Sequence, residues 1–188
     1  RVAIVDQLSL TYPNQNFTRD SIYILEEAGY TVDYYWWDHA TVKLYKNLPK
    51  YRYKIIIFRA HSVLSNDTIS IFTSEPYTDD KYIYEQLKDY LSIVRSYDDI
   101  DRKYFGITSD FIRNSNGRFD NATIVLMGCN GLANPKMAQA FIDKGAKVFI
   151  GWNDTITGHH SDLATIHLLE HLFIEKLTLD ESLNKTFK

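Results

Sequence analysis

The chain has 188 residues and a formal net charge of −3, with 24 Asp and Glu against 21 Lys and Arg. That length suits one domain, residues 1–188, with a core of its own. A content of 45% hydrophobic and 24% charged residues excludes a disordered chain, and the acid excess excludes a whole-chain basic field for nucleic acid. No apolar run reaches the ~18 residues that insertion across a membrane requires.

The elements alternate along the chain. Val2–Asp6 reads as a short apolar strand ending in an acid. Thr18–Ala28 carries Ile22, Leu25 and Ala28 at helical spacing and stops at Gly29, a helix-ending signal. Thr31–Trp36 is rich in β-formers, and Tyr53–Ala60 (YKIIIFRA) is a continuous β-branched run of the kind buried on both sheet faces. Thr68–Thr73 alternates as a strand. Asp79–Val94 is predicted as a helix, with Ile83, Leu87, Tyr90, Leu91 and Val94 on one side. A helical turn at Ser109–Ile112 precedes the turn signal Asn116-Gly117. Ala122–Met127 (ATIVLM) is a second buried strand. A short helix over Pro135–Lys144 then leads to a strand at Lys147–Trp152, and Ser161 is predicted to cap a long helix, Asp162–Leu177. The tail from Asp180 starts another helix. Strands and helices in this order predict an α/β domain with a mostly parallel sheet covered by helices on both faces.

In such sheets the chemistry sits just past the carboxyl ends of the strands. Past Ala60 comes His61-Ser62, and past Met127 comes Gly128-Cys129-Asn130-Gly131. If the two strands are neighbours, His61 and the only cysteine, Cys129, face each other across a crevice. An imidazole is what a cysteine needs nearby to act as a nucleophile, and Gly128 and Gly131 allow backbone N–H groups to turn toward a developing oxyanion. Taken singly, Cys129 also reads as a small buried hydrophobe and His61 as a loop histidine. With one cysteine, no internal disulfide forms.

Two apolar blocks, IIIFRA-HS and TIVLM-GC, in this order resemble the caspase-like cysteine peptidases, nearest to their clostripain- and gingipain-like members. Those enzymes carry a hydrophobic block before His-Gly and a second before Ala-Cys. The continuation CNGLANPKMAQAFIDKGAKVFIGW is similar to their helix leading into the next strand. The resemblance runs from Val2 to the long C-terminal helix and implies the caspase-like three-layer sandwich. It implies a cysteine endopeptidase in which Cys129 attacks the scissile carbonyl and His61 serves as general acid and base. Backbone N–H groups of Ser62 and Cys129 would hold the oxyanion, and proteins or peptides would be the substrates. Two positions depart from the family pattern: Ser62 stands where it has Gly, and Gly128 where it has Ala. By the same resemblance Met127 lines the substrate pocket and Asp154 reaches its rim, a pairing that suits Arg or Lys. Trp152 is a candidate wall. No cofactor is required. A structural calcium is compatible with the resemblance, although the acid cluster Asp98, Asp99 and Asp101 reads as a solvated turn. The Ser62 departure keeps open a second reading, an inactive member used as a binding or assembly module.

Other groupings carry less. His167, Glu170 and His171 form an H-x-x-E-H pattern, the basis of a distant zinc-hydrolase reading. A helix face without metal explains it equally, and His159-His160 reads as a polar loop. Arg59 and Glu75 flank the His61 loop and read as surface charges or as a brace. Asp6 sits at a strand end without the lysine and second acid that a phosphoacceptor site needs. Five Asn-x-Thr sequons, at Asn16, Asn66, Asn121, Asn153 and Asn184, favour a secreted or cell-surface protein, with Asn121 the least accessible of them. The start at Arg1 fits a removed leader.

Overall fold

A computed structural model describes residues 1–96 and 99–186, with the backbone alone at residue 99. Five strands form a parallel sheet: β1 (Val2–Asp6), β2 (Val32–Tyr35), β3 (Ile55–Arg59), β8 (Thr123–Leu126) and β9 (Val148–Gly151), in the order β2-β1-β3-β8-β9. Their period-two pattern divides the core. Val2, Ile4, Ile55, Ile57, Val125 and Met127 face α1 (Gln15–Glu27) and α6 (Gly158–Leu169). Ala3, Val5, Ile56, Phe58, Ile124 and Leu126 face α2 (Val42–Asn47), α4 (Ser109–Arg113) and α5 (Lys136–Asp143). Both faces of the central strands are thereby closed to water, which is why they read as unbroken apolar runs.

A second, antiparallel sheet is added: β4 (Ser62–Ser65), β5 (Thr68–Pro76), β6 (Leu91–Ser96) and β7 (Asp99–Ile107), in the order β4-β5-β7-β6. It shares a hydrophobic cluster with the parallel sheet through Ile69, Ile71, Phe105 and Ile107. The sheet is curled. At Gly106 of β7 a Cβ would fall 2.4 Å from Ser92 Oγ and 2.6 Å from a Val94 methyl, so only a glycine lets β6 fold this tightly across β7. Ser92 then donates to Ser70 Oγ of β5 at 2.8 Å, and Phe72, Val94 and Tyr104 close into a small cluster with Val63.

This sheet corrects the helix expected over Asp79–Val94. Only Ile83–Leu87 is helical (α3). Tyr82 and Asp89 take positive φ at 53° and 56°, which ends the helix at both sides, and Leu91 onward pairs with β7. The apparent helical stripe was shared between two elements: Leu87 is 80% exposed, while Leu91 and Val94 are strand core.

The C-terminal helix also differs from expectation. It begins at Gly158, capped by Thr157, whose hydroxyl accepts from the His160 N–H. His159 and His160 therefore lie in its first turn. A π-helical turn, Glu170–Ile174, follows α6, and α7 (Leu179–Thr186) ends the described chain. Ser161 is buried: its Oγ accepts from Trp152 Nε1 at 3.0 Å and donates to the Met127 carbonyl at 2.8 Å.

Arg59 overturns the surface reading. It is completely buried at the end of β3. Its Nε and Nη2 donate to the two Asp162 oxygens at 2.7 and 2.9 Å, Nη1 to Asp6 Oδ1 at 2.9 Å, and Nη2 also to the Tyr12 carbonyl at 2.8 Å. Asn14 Nδ2 completes Asp162, and the Tyr34 hydroxyl completes Asp6. Glu75 instead binds Lys81 and Tyr82. Burial would lower the Arg59 pKa, but the bonds to Asp162 and the charge of Asp6 outweigh it and hold the guanidinium above its ordinary value. For Asp6 burial prevails over Arg59, and its carboxyl titrates above the usual carboxylate range. Tyr34 is pushed up to about 12, by burial first and by the Asp6 carboxylate second.

Two acids on one base make the members unequal. Arg59→Met leaves two carboxylates buried without a cation, and Asp162→Ala strips the base of its bidentate partner. Each is expected to cost about 3–5 kcal/mol in urea unfolding. Asp6→Asn keeps the shape and relieves the charge excess, so about 1 kcal/mol or less is expected. Because the folded Asp6 pKa is raised, its contribution is fullest below the ordinary carboxylate value and is given up as pH rises through its own. Measured upward from about pH 4, the stability difference should therefore shift steadily toward Asp6→Asn. A constant difference would show that Asp6 is not the strained acid.

Candidate functional site

β3 and β8 are neighbours in register, Ile55 opposite Thr123 through Phe58 opposite Leu126. The two chains that leave their carboxyl ends therefore emerge side by side. Both enter one cleft of about 550 Å³ that His61, Ser62, Met127, Gly128 and Cys129 line together. Leu8, Tyr12, Val63, Phe72 and Ile156 add apolar lining, and Arg95 and Ser96 reach it from β6.

His61 is fixed by its backbone. Its N–H donates to Gln7 Oε1 at 3.0 Å, and its carbonyl accepts from the Phe72 N–H at 2.9 Å. The ring packs edge-on against Phe72, centroids 5.5 Å apart. With the 61–72 pair hydrogen-bonded, the alternation of an antiparallel ladder turns the Ser62 N–H to the open edge of β4. That edge faces Gly128: a Cβ on Gly128 would lie 2.9 Å from Ser62 N, 2.3 Å from Ser62 Oγ and 2.5 Å from the Ala60 carbonyl. Ser62 Oγ donates to the Cys129 carbonyl at 2.5 Å, tying the two loops together.

Cys129 is half-buried. Its Sγ lies 3.4 Å from both the N–H and the carbonyl of Ile156, the residue before the Thr157 cap of α6. The N–H contact survives loss of the thiol proton; the S–H donation to the carbonyl is the one given up. Asn130, at a φ of 58°, turns the chain back, and its N–H reaches the Asp154 carbonyl at 3.0 Å, so the Cys129 loop is bonded to the loop after β9.

The other sequence candidates fall as follows. Met127 is buried and lines the cleft. Asp154 is exposed, its carboxylate accepts from the Thr155 N–H at 2.7 Å, and it does not line the cleft. Trp152 lies behind, bonded to Ser161 and set edge-on to His160. His167 and His171 keep their rings 6.4 Å apart, with His171 Nδ1 on Glu175 Oε1 at 3.0 Å. Among the described residues no group of three or more His, Cys, Asp or Glu is placed to hold a metal ion. Asp98 and the Asp99 side chain lie outside the described residues. Gln7, Phe72, Ile156 and Arg95 belong to the site without having been singled out; only Gln7, next to a strand end, carried a positional signal.

Comparison with protein-family models, curated proteins and solved structures finds no match.

The contact at Gly128 sets a test. Gly128→Ala drives a methyl into the Ser62 hydroxyl and the Ala60 carbonyl and should cost about 1–3 kcal/mol. Ser62→Gly removes the hydroxyl, so the double variant is expected to recover part of that cost while the Ala60 contact remains. A double-mutant cycle by urea unfolding should give a favourable coupling of at least about 0.5 kcal/mol. Strict additivity would mean that the loops do not meet here.

Proposed function

We propose that the cleft is the active site of a caspase-like cysteine endopeptidase, in an α/β fold of the caspase-like three-layer type. The observation that carries the reading is that His61 and Cys129, on paired neighbouring strands, line one cleft. Cys129 sulfur, having passed its proton to His61, attacks the carbonyl carbon of the scissile bond. The oxyanion is held by the Ser62 and Cys129 N–H groups, the first of which the ladder leaves at an open edge beside Gly128. Collapse breaks the C–N bond, and His61 hands its proton to the departing amine. Water then attacks the thioester, His61 takes its proton, and the carboxylic product leaves with Cys129 restored.

The two departures from the family pattern support the same reading, because they touch. Ser62 Oγ fills the space in which an alanine methyl at 128 would sit. The exchange is local, and it leaves the Ser62 N–H in place.

The Met127–Ile156 side of the cleft is apolar and suits an apolar P1 side chain better than a cationic one, since Asp154 does not line it. The five sequon asparagines are all exposed, Asn121 included, which supports a secreted or surface protein.

A second reading, a binding module on the same fold, is favoured by one contact: the Cys129 thiol is engaged by both polar groups of Ile156. Cleavage of a pooled fluorogenic peptide library under reducing conditions separates the two. The endopeptidase reading expects Cys129→Ala to lose at least about 10³-fold in kcat/KM, and His61→Ala about 10²–10⁴-fold. Labelling of Cys129 by a thiol-reactive peptide probe should likewise need His61. Equal, background-level turnover by wild type and Cys129→Ala would leave the binding module.

A further inference from the structure

The cleft has two walls of different origin. Loops at the carboxyl end of the parallel sheet contribute Met127, Cys129 and Ile156, and the curled antiparallel sheet contributes Val63, Phe72 and Arg95. On the endopeptidase reading above, Cys129 keeps the acyl half of the substrate. His61, which gives its proton to the departing amine, leads directly into β4 and rests on Phe72. The amine half therefore lies along the antiparallel wall.

That wall carries a permanent cation. Arg95 lines the cleft, and no Asp or Glu does so among the described residues. No ion pair joins the Arg95 guanidinium to a carboxylate of the described residues. Arg95 is exposed, and a planar guanidinium with no ion pair among the described residues, beside apolar surface, suits bidentate recognition of a carboxylate. We propose that Arg95 binds a carboxylate on the leaving-group half of the peptide, so that the enzyme selects substrates acidic on the carboxyl side of the cut. The carboxylate belongs to an Asp or Glu side chain or to the peptide's own C-terminus.

The test uses quenched-fluorescence peptides identical up to the cut and carrying Glu, Gln or Lys beyond it, each with a free and an amidated C-terminus. Wild type is expected to favour Glu over Gln, or the free terminus over the amide, by at least about tenfold in kcat/KM, mainly through KM. A Glu preference that persists in amidated peptides assigns a side chain, and a free-over-amide preference assigns the terminus. Arg95→Ala should bring the ratio near one, and Arg95→Glu should invert it in favour of Lys. Circular dichroism checks that both variants fold. In parallel, the Cys129→Ala chain is titrated with the same peptides, fluorescently labelled, by anisotropy at low and high salt. Cleavage without a charge preference overturns the Arg95 assignment and leaves the peptidase standing. Absence of cleavage, with salt-sensitive binding lost in Arg95→Glu, keeps the carboxylate site and overturns the peptidase. Neither cleavage nor charge-dependent binding overturns both.

Discussion

A fully buried arginine holds the ends of this structure together. Arg59 closes β3, and its four short bonds reach the end of β1 (Asp6), the N-terminal half of α6 (Asp162) and the β1–α1 loop (Tyr12). Stripping water from three charged groups is costly, and their attraction offsets that only because every carboxylate oxygen and each guanidinium nitrogen finds a partner. Asn14 and Tyr34 supply the last ones and extend the tie to α1 and β2. The cost is visible in Asp6, which burial pushes toward its protonated form. What the arrangement secures is position. His61 is two residues past Arg59, and Ser161, next to Asp162, bonds the carbonyl of Met127, two residues before Cys129. The residues proposed to react thus hang from a fixed point in the core.

From that fixed point the two loops converge on Gly128. A backbone approach that excludes even a methyl group brings the β4 edge against the turn that carries Cys129, and the Ser62 hydroxyl locks the contact. Precise placement here comes from strands and backbone rather than from long side chains, which suits the proposed role of holding an oxyanion without rearranging. The apolar lining serves the same end, since a dry cleft strengthens each N–H that faces it.

Strand positions were legible in the sequence wherever burial was two-sided. IIIFR and TIVL are β-branched and unbroken because helices cover both faces, and Gly29 and Gly145 marked the ends of α1 and α5. His61 and Cys129 were legible for the same reason: each is the first reactive side chain past a run that could only be a central strand. Segment 79–94 was not, because short apolar spacings satisfy a helix and a hairpin equally. Tertiary pairing with β7 and the positive φ of Asp89 decided between them. Charges were the least legible. Arg59 and Asp162 lie 103 positions apart, and nothing local separates a buried pair from two solvated side chains. Ser161 looked like a helix cap because its neighbours fit one, whereas Thr157 holds that place and Ser161 faces the core.

The curled sheet explains why a site framed by five parallel strands is asymmetric in charge. Gly106 lets β6 cross β7 closely enough for Val94 to join Phe72, and the next residue of β6 is Arg95. Alternation along a strand puts consecutive side chains on opposite faces, so an arginine after a buried valine would ordinarily point away from the cluster. A break in the β6–β7 register between Val94 and Ser96 interrupts that alternation, and Arg95 and Ser96 both border the cleft with Val63. Beside an apolar wall the Arg95 cation is a fixed positive potential on one side of the cleft only. For the peptide substrate proposed above, such a field distinguishes the two ends of an extended chain.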